Sequence, residues 1–160
     1  MSSKSDAWTE VYNRLTLNPT LAGYVKKVYD FDRDAIVTSE MPCITMHPMP
    51  TDEEYADFPK RKQDFLRVQI KGIIFIKDRL EFGTSIMIGG NGHLGLFTFE
   101  TDIKNALEMN TAGIVDDLAY NNHAHFPKLK VTDYRNMGNV SAEVIMELQI
   151  DCRYFFVGHR

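Results

Sequence analysis

The residues with the most chemical promise form Gly90-Asn91-Gly92-His93-Leu94-Gly95, a GxGxxG run behind the apolar Ile86-Met87-Ile88. In a dinucleotide site such glycines let the backbone approach a pyrophosphate at a helix N-terminus, and an acid about 20 residues on holds the ribose. Asp116 and Asp117 follow at about that distance. Three features weigh against this chemistry. Leu96-Phe97-Thr98-Phe99 reads as extended where a helix should begin, and no further βαβ unit follows. Gly89 to Gly92 is also good turn chemistry for a hairpin between Thr84–Ile88 and His93–Phe99. The preferred reading is a hairpin loop, with a small nucleotide-binding enzyme using Gly90–Gly95 as the competing one.

No other cluster assembles a reaction. His123 and His125 share one face of an extended segment, but a metal site needs at least a third ligand and none can be placed. His159 lies one residue from the end, and no GxSxG context activates a serine. Glu143, Glu147 and Asp151 recur along one strand face, each too far from the next to share a proton. They read as a solvated or pore-facing acidic stripe. Cys43 and Cys152 form no CxxC pair, so buried thiols are expected. The expectation is a protein without catalytic residues, cofactor or metal.

Composition narrows the class. At 160 residues the chain fits one domain, and 44% hydrophobic with 25% charged residues excludes disorder over most of its length. Eighteen Lys and Arg against twenty-two Asp and Glu leave a formal charge of −4, the wrong sign for a protein that grips nucleic acid. The N-terminus lacks a signal-peptide apolar region, and Ile73–Ile76 is far too short to span a membrane. A soluble, intracellularly made domain is expected.

The elements that must position these residues follow from periodicity. Trp8, Val11, Tyr12 and Leu15 have helical spacing, with Ser5 or Asp6 as cap. Pro19 restarts a helix whose stripe is Leu21, Tyr24, Val25 and Val28. Met41–Met49, bounded by prolines, reads as a strand near a sheet edge. Residues 50–64 carry Asp52, Glu53, Glu54 and Asp57 ahead of Lys60, Arg61 and Lys62 with no periodicity, and read as a solvated loop or an intersubunit contact. Leu66–Ile76 and Val140–Phe156 alternate strongly, and Phe126–Met137 pairs with the latter through a turn at Met137-Gly138-Asn139. Thr101 caps a helix with Ile103, Ala106 and Leu107 inward. Phe155 breaks the alternation as an outward aromatic, a hint of an oligomer interface. The fold class is α+β: a mainly antiparallel sheet with helices on one face.

This order resembles that of phage tail-terminator proteins, the family of lambda-type minor tail protein U. The N-terminal helix leads into a short strand, Met41-Pro42-Cys43-Ile44-Thr45-Met46, then a variable loop, the long strand Leu66–Ile76 and the helix Thr101–Met109. The closing hairpin pairs Lys128–Arg135 with Ser141–Leu148. Residues 1–160 then form a single domain with loop or hairpin insertions at 50–64 and 84–99. The resemblance implies a structural virion protein made in the host bacterial cytoplasm. It forms a homo-oligomeric ring, a hexamer, that caps the head-proximal end of the tail tube. The implied partners are the tail tube protein and the head–tail connector or neck proteins, with DNA passing the lumen unbound and no membrane involved. Asp52, Glu53, Glu54, Lys60, Arg61, Lys62, Gly89, Gly90, Asn91, Gly92 and Phe155 are the expected subunit or tube contacts, and Glu143, Glu147 and Asp151 the expected lumen-facing acids. Another neck or tail-completion protein is the nearest alternative.

Overall fold

A computed structural model describes residues 3–31, 36–50, 54–57, 61–63, 65–76, 84–90, 93–108, 128–137 and 141–151. Within them the expected α+β class is present. A five-stranded sheet has the order β1 (Lys27–Tyr29), β2 (Cys43–Met49), β5 (Phe65–Phe75), β9 (Ser141–Asp151), β8 (Lys128–Asn136). Only the β1–β2 pair is parallel; the other three pairs are antiparallel.

The long β5–β9 ladder follows from alternation in both strands. Leu66, Val68, Ile70, Gly72 and Ile74 lie opposite Ile150, Leu148, Met146, Val144 and Ala142. All of these are buried, and each fully buried aliphatic side chain contributes about 1.5–3 kcal/mol. Ile44 and Met46 of β2 extend the apolar face on one side, and Leu129, Val131 and Tyr134 of β8 extend it on the other. Helix α1 (Ser3–Leu17) covers this face with Ala7, Val11 and Leu15, and α4 (Leu96–Glu108) with Leu96, Phe99, Ile103, Ala106 and Leu107.

Gly72 decides how closely α4 can sit. A Cβ at that position would lie 3.0 Å from both Phe99 Cε2 and Ile103 Cδ1. The missing side chain is therefore the notch that receives the helix. At the far end of α4 stands Arg14, a wholly buried charge whose Nε donates to Glu10 Oε2 at 2.7 Å and whose Nη1 donates to the Leu107 carbonyl at 3.1 Å. It satisfies a last-turn carbonyl and sets positive charge at the helix C-terminus, where the dipole favours it.

Several expectations need correction. The second helix is only Pro19–Ala22 (α2), capped by the Asn18 Oδ1 acceptor for the Leu21 N–H at 3.1 Å, and Val28 belongs to a strand. The chain leaves the helix at Gly23, and Lys27–Tyr29 instead pairs with Cys43–Thr45. β2 does lie near a sheet edge as expected, second from the β1 border, and past Thr45, where β1 no longer pairs with it, His47 and Pro48 are exposed and proline's missing N–H is harmless. Of the loop and hairpin readings of 50–64 the hairpin is the one present: β3 (Glu54–Asp57) and β4 (Arg61–Gln63) form a separate two-stranded sheet, with Asp57 opposite Arg61. Thr84–Ile88 is a short helix, α3, rather than a strand, and only Gly89–Gly90 (β6) and His93–Leu94 (β7) pair. α4 begins at Leu96, which puts Thr101 inside the helix and not at its cap.

A second, smaller core lies on the other sheet face. Tyr29, Met41, Cys43 and Ile73 are buried there, with Ile36 and Phe75 packed against them. Cys43 is buried as expected.

Two substitutions test this packing by denaturant unfolding. Gly72→Val drives two methyl groups into Phe99 and Ile103 and is expected to cost about 1–3 kcal/mol or more. Arg14→Met keeps the length but leaves the Leu107 carbonyl and Glu10 without their donor, with an expected loss of about 2–4 kcal/mol. A change within about 0.5 kcal/mol for either would remove its assigned role.

Candidate functional site

The glycine segment has a structural reason for its composition. Gly89 and Gly90 have φ of 97° and 133°, conformations that favour glycine, and they turn the chain from α3 into the short β6–β7 hairpin. Gly95 is buried, and a Cβ on it would lie 2.3 Å from the Ile88 carbonyl carbon. That carbon is backbone and cannot rotate aside, so glycine is required where α3 and the start of α4 touch. The helix does begin directly after the glycines, which removes one objection to a phosphate site. The close approach, however, is to the protein's own backbone. Asn91 and Gly92 lie outside the described residues, as do His123, His125, His159, Asp116, Asp117, Cys152 and Phe155. Among the described residues no group of three His, Cys, Asp or Glu side chains could hold a metal ion.

The acidic stripe does not keep its expected form. Glu143 is 1% exposed, buried on the sheet face opposite the helices, where its strand position faces Arg135 of β8. It is therefore not a solvated acid. Arg135 is also hydrogen-bonded through Nε to Asp133 Oδ2 at 2.9 Å, and this bond, with the charges of Asp133 and Glu143, raises the guanidinium's pKa. Asp133 is held below the usual carboxylate range by that same Arg135 bond, helped by the Tyr134 N–H. Glu147 is half-buried and engaged by Arg67 through Nε at 2.9 Å and through Nη2, while Arg67 Nη1 reaches the Pro50 carbonyl at 3.1 Å. Asp151 ends β9 opposite Phe65.

Of the expected contact residues, Glu54 lies in β3, Arg61 and Lys62 lie in β4, and Gly89 and Gly90 form β6. Asp52, Glu53 and Lys60 lie outside the described residues. The structure brings the first three together in one hairpin and does not join them to the glycines. Periodicity did not single out the surface beside β1. A groove of about 250 Å³ runs there, lined by Leu15, Leu21, Val25, Lys26, Lys27 and Val28. Leu17, Phe31 and Val37 are large apolar side chains at 58%, 53% and 61% exposure. Lys27 Nζ stands 5.3 Å from the centre of the Tyr29 ring.

Two tyrosines lock α4 in place. Tyr24 donates to Asp102 Oδ2 at 2.7 Å and meets the Phe99 ring edge-on at 5.7 Å. Tyr134 of β8 donates to Glu100 Oε1 and meets Phe97 edge-on at 5.8 Å. Burial, then the hydrogen bond and charge of Asp102, push the Tyr24 hydroxyl far above its ordinary value. Burial, then Glu100, push Tyr134 up to about 12.

A raised phenol pKa means the folded state keeps a proton that the unfolded state releases. The stabilisation is therefore fully present below about pH 10 and declines as pH rises from 10 towards 12. Urea midpoints between pH 9 and 11.5 are expected to fall more steeply in the wild type than in a Tyr24→Phe/Tyr134→Phe variant. Parallel slopes would show that neither hydroxyl is held protonated by the fold.

Among the described residues these surfaces carry exposed apolar side chains and mixed charge. A comparison with models of known protein families and with curated proteins finds no match, so the geometry stands as the guide to function.

Proposed function

We propose that the chain is a structural subunit of a tailed-phage virion, a tail terminator that assembles as a ring on the head-proximal end of the tail tube. There it stops tube growth and offers a docking surface to connector or neck proteins. The observation that carries this reading is the order of the main elements. An N-terminal helix, a short proline-bounded strand, a long strand, a helix and a closing hairpin follow in the order the resemblance implies, with α2 and β1, the separate β3–β4 hairpin, and α3 with β6–β7 set between them.

The charge pattern agrees with such a role. A −4 protomer has no basic excess with which to trap DNA, so a lumen built from it lets DNA slide. The sheet face away from the helices, with Glu147 and the position of Asp151, is the candidate lining. Its field is modest because Arg67 neutralises Glu147. Another neck or tail-completion component would share these properties, and position in the particle separates the two.

The native mass of the purified full chain tests the assembly. A ring-sized species, six copies by native mass spectrometry and annular by negative-stain microscopy, is the expected outcome. A monomer at tens of micromolar whose melting temperature rises with NAD or ATP, and no longer does so in a Gly92→Trp variant, would replace this reading with that of a nucleotide-binding enzyme.

A further inference from the structure

The outward face of the helix layer departs from the usual composition of a solvated surface. The side chains that α1 and α4 turn away from the sheet include Thr9 and Thr16 on one helix and Phe97, Thr98, Thr101 and Asn105 on the other. Among the described side chains of these two helices no charged one is fully exposed, although 25% of the chain is charged. Glu10, Glu100 and Asp102 are engaged within the molecule. They accept from Arg14 Nε at 2.7 Å, from Lys104 Nζ at 2.9 Å and from the Tyr24 hydroxyl at 2.7 Å. The Thr16 hydroxyl likewise donates to the Tyr12 carbonyl at 2.9 Å. Solvation alone does not account for this choice of residues, because Lys, Glu, Gln and Ala are better helix formers than Thr, Asn or Phe. A surface poor in charge and carrying aromatic rings is the compositional mark of a protein–protein contact. Trp8 and Tyr12 add two half-buried rings at the flank of α1.

Charge and area select the occupant. A polyanion, or a charged segment of another protein, would meet no counter-charge here and would bury its own charges unpaired. A second copy of this chain meets the opposite condition. Its net charge of −4 opposes approach through most of its surface, but two helix layers can meet without setting like charges together. Helices of 15 and 13 residues are about 22 and 20 Å long, and side by side they present a face about 20 Å across. Two such faces bury on the order of the 1,000 Å² that a specific contact requires.

We infer that two copies of this chain pair helix layer to helix layer about a twofold axis. The contact is isologous, so the layer around Thr9 and Thr101 meets the same layer of the other copy and no second patch is needed. Phe97, 48% exposed at the start of α4, is the aromatic anchor of the contact. The inference does not rest on the ring reading, whose candidate lining is the opposite face of the sheet.

Charge placed on this face of the full chain provides the test. Thr9→Glu/Thr101→Glu and Thr9→Lys/Thr101→Lys put better helix formers at exposed positions, so each is expected to keep the wild-type far-ultraviolet spectrum and a cooperative melt. Each should raise the concentration for half-association by about tenfold or more, as like charges now meet. Native mass reads this, and so does the emission of Trp8, the chain's single tryptophan, on dilution. Mixed one to one, the acidic and basic variants are expected to pair with each other. A two-copy wild type that both variants disperse upholds the pairing and removes the assembly on which the ring reading depends. A six-copy wild type whose variants also run as six copies overturns the pairing and leaves the ring reading standing. Failure of the mixed variants to pair overturns it as well. A wild type that is monomeric at tens of micromolar overturns both.

Discussion

The register of β5 against β9 is the constraint on which the remainder of the molecule depends. Eleven residues of each strand are paired without a shift, from Phe65 opposite Asp151 to Phe75 opposite Ser141. A slip of one residue would turn Leu66, Val68, Ile70 and Ile74 to the opposite face and bring Arg67, Gln69 and Lys71 under the helices. The cost would be two buried charges, a buried amide and a lost core, far above the marginal stability of a domain this size. Everything that touches α4 or α1 takes its position from this pair of strands.

The helices then rest on a few specific contacts. Gly72 sets the height of α4 above the sheet, Tyr24 and Tyr134 hold that helix at its two flanks, and Arg14 ties its final turn to α1. Dispersion and water exclusion supply the bulk of the stability, but they are non-directional. The polar contacts choose one orientation among the many that would bury similar area. Arg14 illustrates the distinction. Its burial carries a desolvation cost, offset by Glu10 and by the dipole end it meets, and its net contribution is to fix which ends of the two helices adjoin.

Much of this architecture was legible in the sequence because one face of the sheet meets helices and the other is largely polar. Alternation in 66–76 and 140–151 follows directly from that asymmetry. The misreadings have physical causes. Phe97-Thr98-Phe99 alternates like a strand only because Phe97 is an exposed helix residue, while Leu96, Phe99 and Ile103 carry the helical period. Val25 and Val28 suit a helix as well as a strand, and the pairing of Lys27–Tyr29 with β2 decides between them. The 54–63 segment has no apolar period because its paired strands are rich in charged residues, with Asp57 and Arg61 as register partners. Arg14 falls on the buried stripe of α1, and only the position of the Leu107 carbonyl explains a cation there. Glu143 was read as a solvated or pore-facing acid, yet it and Ile145, two residues on along the same face, are both buried, on the side of the sheet where a second core had no signal of its own.

The shifted register in β8 has a consequence for what the molecule refuses to do. Two identical edges related by a twofold axis are the simplest way for a sheet protein to dimerise, and an uninterrupted nine-residue β8 would offer that route. With the ladder broken between Val131 and Asp133 and lysines flanking it, a symmetric back-to-back union of two such edges would leave hydrogen bonds unmade and set like charges opposite one another. The β8 border is thereby a terminus for its own sheet, closed to symmetric union by its own irregular ladder and its positive charge.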